Sequence, residues 1–217
     1  MKDKLYEIGI DEAGRGPLAG PVAVGAVLFK MKDKDKLARI FEKIKGKDSK
    51  KLTPRKREEY FEIIKEEAKK GNLQFAVSFS SAKLIDQKGI VFAIKKALAC
   101  SLEKVSNSSL DYSQMVVLLD GSLHAPEKYL NQKTIIRGDE SELSISLASI
   151  IAKVTRDKKM VCLAKKYPLY GFERHKGYGT RYHYQQILKY GLSHEHRVSF
   201  LRKILNPQKR FKKLDLF

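Results

Sequence analysis

The sequence predicts an α/β fold, with a mixed five-stranded sheet flanked by helices and a helical C-terminal region. Five short runs of β-branched and small apolar residues have the length and composition of strands. Between and after them, apolar residues recur at intervals of three and four, which is the spacing of amphipathic helices. Because three strands come first and the other two alternate with helices, we expect a meander extended by helical connections.

Each strand is predicted from its side-chain pattern. The second is built from small and β-branched residues, which suits burial inside a sheet. The third alternates apolar and polar residues, so that one of its faces is apolar. The fourth ends abruptly before Asp120-Gly121, and the fifth before Gly138-Asp139. The predicted strands are residues 6–10, 21–29, 73–80, 115–119 and 133–137.

The helices are predicted from apolar spacing and from their end signals. Thr53 and Pro54 are typical of an N-cap and a first helical position, and Gly71 is typical of a helix end. The segment 143–154 is apolar nearly all round, so we expect it to be buried in the core. The remaining predicted helices are residues 36–45, 89–105, 182–189 and 199–205. We expect two parts, a main domain at residues 1–165 and a helical extension at residues 166–217.

The charge balance indicates a polyanionic partner. The chain has 44 Lys and Arg residues against 25 Asp and Glu residues, a formal net charge of +19. Such an excess repels itself in the folded state, and nucleic acid is the leading partner that would neutralise it, ahead of an anionic membrane surface. Part of the excess is balanced locally, because the helix at residues 55–70 also carries five glutamates. Charge alone therefore leaves the partner open.

Composition excludes several classes of protein. A content of 42% hydrophobic and 32% charged residues is unlike that of a disordered chain. No apolar run approaches the roughly 18–20 residues of a membrane span, and the first residues do not resemble a signal peptide. We expect a cytoplasmic protein that does not bind membranes and that is a monomer, since no heptad pattern is present. Cys100 and Cys162 lie in apolar helical contexts and are expected to be buried, reduced thiols.

Four acidic residues follow predicted strands. Asp11 and Glu12 follow the first strand, Asp120 the fourth and Asp139 the fifth. Ligands of open α/β sheets bind beyond the carboxyl ends of parallel strands, so these carboxylates are expected to converge. Clustered carboxylates repel one another unless cations neutralise them, and oxygen ligands favour Mg²⁺ or Mn²⁺. Asp11 and Glu12 can share one site only if the strand ends or bulges there, because neighbours in a regular strand face opposite sides.

Four carboxylates on a basic protein indicate a two-metal phosphodiester hydrolase. In such a site one ion activates the attacking water, and the other stabilises the leaving oxygen. A nucleic-acid-binding module without catalysis is one alternative, although acids beside a phosphate would only weaken its binding. A metal nuclease that acts on DNA alone is another.

The segment from Gly14 to Gly20 is rich in glycine but does not bind a dinucleotide. Its spacing is not G-x-G-x-x-G, Pro17 interrupts it, and a strand follows it where that motif requires a helix. Glycines at 14 and 16 would let a sugar or phosphate approach the backbone closely. A tight turn between two strands is the alternative interpretation.

Seven segments of the chain resemble, in order, those of ribonuclease HII, the type 2 ribonuclease H family. The two longest are Gly9 to Val22 and Ala148 to Asp157. The other five are residues 48–52, 119–121, 137–139, 175–180 and 196–200. The resemblance covers roughly residues 5 to 200, and it implies a ribonuclease H-like fold.

The resemblance also implies an activity. Ribonuclease HII hydrolyses the RNA strand of RNA–DNA hybrids and incises duplex DNA on the 5′ side of embedded ribonucleotides, leaving a 3′-hydroxyl and a 5′-phosphate. The implied roles are ribonucleotide removal from DNA and RNA primer removal. The family's catalytic metal ligands correspond to Asp11, Glu12, Asp120 and Asp139, which would bind two Mn²⁺ or Mg²⁺ ions.

Substrate contacts are implied in the same way. Gly14, Arg15 and Gly16 correspond to the loop that reads the 2′-hydroxyl, the group that distinguishes RNA from DNA. Tyr178 corresponds to the tyrosine that packs on the sugar 3′ of the ribonucleotide. Lys50 and Lys51 resemble phosphate contacts, and the extension at 166–217 is expected to contribute to substrate binding. Whether the basic tail at residues 208–213 contacts a replication clamp stays open at this point.

Three further features qualify the resemblance. Glu140 follows Asp139 where the family usually has a small residue, and it adds a negative charge beside the expected metal site. Asp157 is interpreted as a cap or as a group supporting the metal ligands, and the histidines as structural or phosphate-contacting. The sister family, ribonuclease HIII, has an extra N-terminal domain, whereas only a few residues precede the first strand here, which favours ribonuclease HII.

Overall fold

The computed structural model describes residues 4–42, 52–106 and 110–205. Within them, five strands form one sheet. The strands are β1 (Tyr6–Ala13), β2 (Val22–Lys30), β3 (Gln74–Ser80), β4 (Met115–Asp120) and β5 (Gln132–Ile135). The sheet order is β3-β2-β1-β4-β5. β1, β2 and β3 form the expected antiparallel meander, and β4 and β5 extend it in parallel on the other side of β1.

Nine α-helices occur in the described part of the chain, some of them only one turn long. They are α1 (Lys34–Ile40), α2 (Pro54–Lys69), α3 (Ala82–Lys88), α4 (Ile90–Val105), α5 (Gly138–Ser141), α6 (Leu143–Lys166), α7 (Phe172–His175), α8 (Arg181–Tyr190) and α9 (Val198–Leu205). The predicted N-cap of α2 is confirmed, because the Thr53 side chain accepts a hydrogen bond from the N–H of Lys56.

Apolar layers lie on both faces of the sheet. On one face, side chains of β1 and β4 such as Ile10 and Leu119 pack against α4. On the other face, side chains of β2 such as Phe29 pack against α2 and α6, and Ile150 of α6 is fully buried there. A sheet covered on both faces explains why β2 and β4 are apolar along almost their whole length.

The closest helix–sheet contact is made by α6. A Cβ atom at Gly9 of β1 would overlap the backbone carbonyl of Ser144, and one at Gly25 of β2 would overlap that of Ala148. The two glycines therefore let α6 lie directly on the middle of the sheet. As expected for a segment apolar on all sides, almost every residue in the first half of α6 is buried.

Several predicted boundaries are wrong. β1 continues through Ala13 in regular register with β2, so Asp11 and Glu12 lie inside the strand and do not follow it. β5 ends at Ile135, because the chain turns through Arg137, which has a left-handed φ of 56°. The predicted helix at residues 89–105 is preceded by a further helix, α3, which apolar spacing did not reveal. α6 continues to Lys166, well past its predicted end at residue 154.

The two cysteines are free thiols, but their predicted burial is wrong. Cys100 is only partly buried, and Cys162 is exposed. Cys162 lies in the second half of α6, where buried residues recur at helical spacing and the helix presents its other side to solvent. No helix in the described ranges is both long and apolar enough to cross a membrane.

We expect Gly9→Ala to lower the free energy of unfolding by about 1–3 kcal/mol, because the added methyl group forces α6 away from β1. Urea denaturation followed by circular dichroism measures the change. Gly16→Ala is the matched control, since a Cβ at Gly16 meets no atom within 4 Å. Equal stabilities for the two variants would show that α6 is free to shift and that the close contact is not a constraint.

Candidate active site

Asp11 and Asp120 are neighbours on adjacent parallel strands. Ile10 of β1 pairs with Leu119 of β4, so the next residue along each strand is an aspartate. Asp11 shares its face of β1 with Gly9 and therefore lies on the side of the sheet that α6 covers. Its side chain is buried, with 1% of the residue exposed. The strand register thus brings two of the four predicted carboxylates to one edge of the sheet.

Asp139 reaches the same edge from a different element. Oδ1 of Asp120 accepts a hydrogen bond of 2.8 Å from the N–H of Gly138, which ties the start of α5 to the end of β4. Asp139 is the next residue and is buried. Glu140, the unusual neighbour, forms an ion pair of 2.6 Å with Arg137, so its charge is balanced locally.

Glu12 lies at this edge but on the outer part of β1. Because β1 is a regular strand at this point, the side chains of Asp11 and Glu12 lie on opposite faces of the sheet. Oε1 of Glu12 lies 3.3 Å from Nη1 of Arg15. Burial raises the pKa of Glu12, the charge of Arg15 opposes that rise, and the negative charge of Asp120 adds to it. Glu12 and Asp120 are therefore close enough to influence each other electrostatically.

The carboxylates have the chemistry of a metal site without its assembled geometry. No three His, Cys, Asp or Glu side chains in the described ranges lie where they could hold a metal ion together. Glu12 instead faces Arg15, and Asp120 accepts from Gly138, while Oδ1 of Asp11 accepts from the N–H of Glu12 at 2.7 Å. Carboxylate oxygens are nevertheless the ligands that Mg²⁺ and Mn²⁺ prefer. The donor set fits such an ion, because each of these contacts engages one oxygen and a carboxylate has two.

A groove opens beside the carboxylates. It is lined by residues 12–16 together with Ser149, Lys153 and Tyr178. Ser149 and Lys153 are one helical turn apart on α6, and sequence reasoning did not select either as a functional residue, although both lie in the family-like segment 148–157. Asp157 forms an ion pair of 2.9 Å with Lys153. It lies inside α6 and is not a helix cap.

We call residues 14–20 the glycine loop, and its first two glycines differ in why they are needed. Gly14 has a φ of +90°, and a Cβ there would overlap the guanidinium group of Arg156. Packing and backbone conformation therefore both require glycine at position 14. At Gly16 a Cβ would meet nothing within 4 Å, and the residue is not among those with positive φ. The missing side chain at Gly16 leaves the backbone open on the groove side.

Tyr178 stands at the other side of the groove with 44% of its surface exposed. Its ring centroid lies 5.8 Å from Nζ of Lys153 and 5.9 Å from Cζ of Arg156, so two cations of α6 flank the ring. The Tyr178 carbonyl accepts a hydrogen bond of 2.8 Å from Nδ1 of His183. Its backbone is therefore anchored while its ring faces solvent.

The anchor belongs to a chain of buried imidazoles. The N–H of Ser193 donates to Nδ1 of His196 at 2.9 Å, and the Nε2 atoms of His196 and His183 lie 3.1 Å apart. When both rings are neutral, Nε2 of His196 donates to Nε2 of His183, and Nδ1 of His183 donates to the Tyr178 carbonyl. Each ring then has one donor and one acceptor nitrogen, and all of them are used. Burial lowers the pKa of His183 to about 3 and that of His196 to about 4. These histidines are structural, as one of the two interpretations held.

The structure does not place every predicted site residue. Lys50 and Lys51 lie outside the described residues, and so does the basic tail. Of the other predicted residues, Asp11, Asp120 and Asp139 lie at one edge of the sheet, and Glu12 is the next residue after Asp11. Gly14, Arg15, Gly16 and Tyr178 line the adjoining groove.

Comparisons with known proteins identify relatives of this chain and of its fold. A family model described as ribonuclease HII matches residues 8–203. The ribonuclease HII of Caldicellulosiruptor bescii is 45% identical over 199 residues, which cover 91% of this chain and 87% of the relative. That of Clostridioides difficile is 46% identical over 209 residues, covering 94% and 73%. A solved complex of PCNA and ribonuclease HII from Archaeoglobus fulgidus superimposes with a TM-score of 0.71 at 25% identity, covering 97% of this chain and all of that one. The predicted fold is confirmed.

We expect the free energy of unfolding to fall as the pH is lowered from about 6.5 towards 4. The folded-state pKa values of His183 and His196 lie below the ordinary value of 6.5, so the unfolded chain binds more protons in this range. Urea denaturation at pH 7 and pH 5 measures the loss.

His183→Gln should flatten this pH dependence, and His124→Gln, at an exposed position, should leave it unchanged. Comparing the variants separates the contribution of the imidazoles to the pH dependence from that of Glu12. The pKa of Glu12 is raised in the folded protein, so this residue makes the free energy of unfolding rise as the pH falls. A wild-type protein equally stable at both pH values would contradict the neutral imidazole chain.

Proposed function

The chain belongs to the ribonuclease HII family, and on that premise we propose that it hydrolyses the RNA strand of RNA–DNA hybrids and incises duplex DNA on the 5′ side of embedded ribonucleotides. Members of the family are ribonuclease H endonucleases, and this chain is one. The products would be a 3′-hydroxyl and a 5′-phosphate. The observation that carries the proposal is that Asp11 and Asp120 lie side by side on β1 and β4, while Glu12, the next residue along β1, lines the groove together with Gly14–Gly16 and Tyr178.

Asp11, Glu12, Asp120 and Asp139 would bind two divalent cations, either Mg²⁺ or Mn²⁺. When bound, such ions activate water for attack and stabilise the leaving oxygen. Asp11, Asp120 and Asp139 belong to three different elements, β1, β4 and α5. Their negative charges repel one another, and this repulsion opposes convergence of the carboxylates until cations are present. This repulsion is consistent with Glu12 facing Arg15 and Asp120 facing a backbone N–H in the protein alone.

Ribonucleotide recognition is proposed for the groove. Gly16 leaves room for a sugar to approach the backbone, and backbone N–H groups of the glycine loop would bind the 2′-hydroxyl. The exposed ring of Tyr178 would pack on the sugar 3′ of the ribonucleotide. Arg15 and Lys153 would lie near the phosphate to be cut, where their charges stabilise the negative charge that develops.

The path of the duplex is proposed to follow a second groove that shares Lys153 with the first. This groove runs between α2, α6 and α7, and its basic residues include Lys158, Arg174 and Lys176. Such side chains bind phosphates without reading sequence. We propose the same role for Lys50 and Lys51, and a substrate-binding role for the whole extension at residues 166–217.

Two further aspects of the function are proposals. The enzyme would act in the removal of ribonucleotides and RNA primers from DNA, working as a monomer in the cytoplasm. Because the Archaeoglobus fulgidus relative was solved in complex with PCNA, contact with a replication clamp through the C-terminal tail is also proposed for this chain.

We expect a DNA duplex carrying one ribonucleotide to be nicked on its 5′ side in Mg²⁺ or Mn²⁺ and to stay intact in EDTA. Denaturing electrophoresis of the labelled strand locates the cut, and an all-DNA duplex is the control. Cleavage of long hybrids alone would favour a ribonuclease HIII-like specificity. If neither substrate were cut, the protein would be a binding module, and equally fast cutting of all-DNA would make it a general nuclease.

In the same assay Asp11→Asn should reduce cleavage by more than about 100-fold, because even residues that only orient metal ligands contribute 10–100-fold. Duplex binding should survive, since phosphate contacts dominate affinity. Asp35→Asn, at an exposed position of α1, is the control for the loss of one negative charge. Near-normal activity of the Asp11 variant would show that the catalytic carboxylates are assigned wrongly.

Tyr178→Ala should slow cleavage at a single ribonucleotide roughly tenfold, the size that one aromatic stacking contact has in nucleic-acid complexes. Long hybrids, in which many neighbouring positions offer a substrate, should be affected less. Steady-state rates on the two substrates test this expectation, with Phe92→Ala as a control at an exposed aromatic residue of α4. An equal loss of cleavage rate on both substrates would show that Tyr178 serves packing and does not recognise the ribonucleotide.

A further inference from the structure

Two fully buried arginines contact the glycine loop from below. Arg197 donates three hydrogen bonds to backbone carbonyl oxygens, from Nη2 to Gly14 at 2.7 Å, from Nη1 to Arg15 at 2.9 Å and from Nε to Gly20 at 3.0 Å. Arg156 donates from Nε to the carbonyl just after the loop, that of residue 21, at 3.0 Å. Both residues have no exposed surface.

A buried guanidinium group is a costly way to fill space. Burial lowers the pKa of Arg197 to about 9, and the nearby charge of Arg156 contributes to the decrease. An apolar side chain of similar volume would avoid this desolvation. The benefit of arginine at position 197 must therefore lie in its hydrogen bonds, which are directed at the loop.

Those bonds determine which way two peptide groups of the loop face. In a trans peptide the C=O and the following N–H point in opposite directions, and the described residues contain no cis peptide bond. With the Gly14 and Arg15 carbonyls turned inward to Arg197, the N–H groups of Arg15 and Gly16 point outward. The groove that these same residues line is on that side.

We propose that Arg197 is a positioning residue for ribonucleotide recognition: it aims the N–H groups of Arg15 and Gly16 at the ligand. The inference rests on the proposed function, in which the loop backbone binds the 2′-hydroxyl. Arg197 lies far from Gly16 in the sequence and lies beneath the glycine loop, so its proposed role is indirect.

Lysine cannot take over this role. The guanidinium group presents donors in a rigid planar fork, and here two of its arms bind consecutive carbonyls while Nε binds a third. A lysine at the same position would keep the charge but would offer a single nitrogen. Arg197→Lys therefore separates the directed hydrogen bonds from the buried charge.

The test is steady-state cleavage of a duplex carrying one ribonucleotide by Arg197→Lys, with the all-DNA duplex as a competitive inhibitor. We expect kcat to fall about 100-fold, as misplacement of recognition groups by about 1 Å can cost that much. KM and the inhibition constant of the all-DNA duplex should stay within about twofold, because phosphate contacts are unchanged. Arg39→Lys, at an exposed arginine of α1 outside both grooves, should behave like the wild type.

Thermal melting identifies a variant that fails to fold, and Arg197→Gln is then used, because it removes the buried charge while keeping one short donor group. Wild-type kcat in a folded Arg197 variant would overturn the proposal. So would a parallel rise in KM and in the all-DNA inhibition constant, which is the pattern of general misfolding. Failure of the wild type itself to cut the ribonucleotide duplex would instead contradict the proposed function.

Discussion

The contact of α6 with the centre of the sheet is the constraint on which the rest of this structure depends. At Gly9 and Gly25 the helix touches the strands without an intervening side chain, so its position is set by backbone against backbone. In that position α6 covers the face of the sheet on which Asp11 lies. Ser149 and Lys153 of α6 line the groove, and Arg156 of α6 packs against Gly14. A displaced α6 would disturb the carboxylates and the groove together.

The site combines groups that oppose each other electrostatically. Carboxylates lie at one edge of the sheet, and the cationic side chains of Arg15 and Lys153 line the adjoining groove. In the protein alone Glu12 is balanced by Arg15, and the buried arginines are solvated by backbone carbonyls in place of acids. A nucleic acid would bring phosphates to the cations, and divalent ions would neutralise the carboxylates. The charge arrangement is therefore consistent with a protein whose site is completed by its ligands.

The C-terminal part of the described chain works as a support for the loop near the N-terminus. Arg197 binds the carbonyls of the glycine loop, and its neighbour His196 begins the imidazole chain that ends on the backbone of Tyr178. Both sides of the groove thus depend on two adjacent residues of the same segment. This arrangement links the glycine loop to a segment that lies far from it in sequence.

Local patterns in the sequence determined the strands, the N-cap at Thr53, the buried helix and the acids at the sheet edge. They did so because strand and helix periodicity and capping depend on residues only a few positions apart. The exposure of Cys162, the face on which Glu12 lies and the partners of Arg156 and Arg197 were decided by the tertiary structure alone. Each of these depends on contacts between segments distant in the chain, such as residues 14 and 197, for which sequence spacing carries no signal.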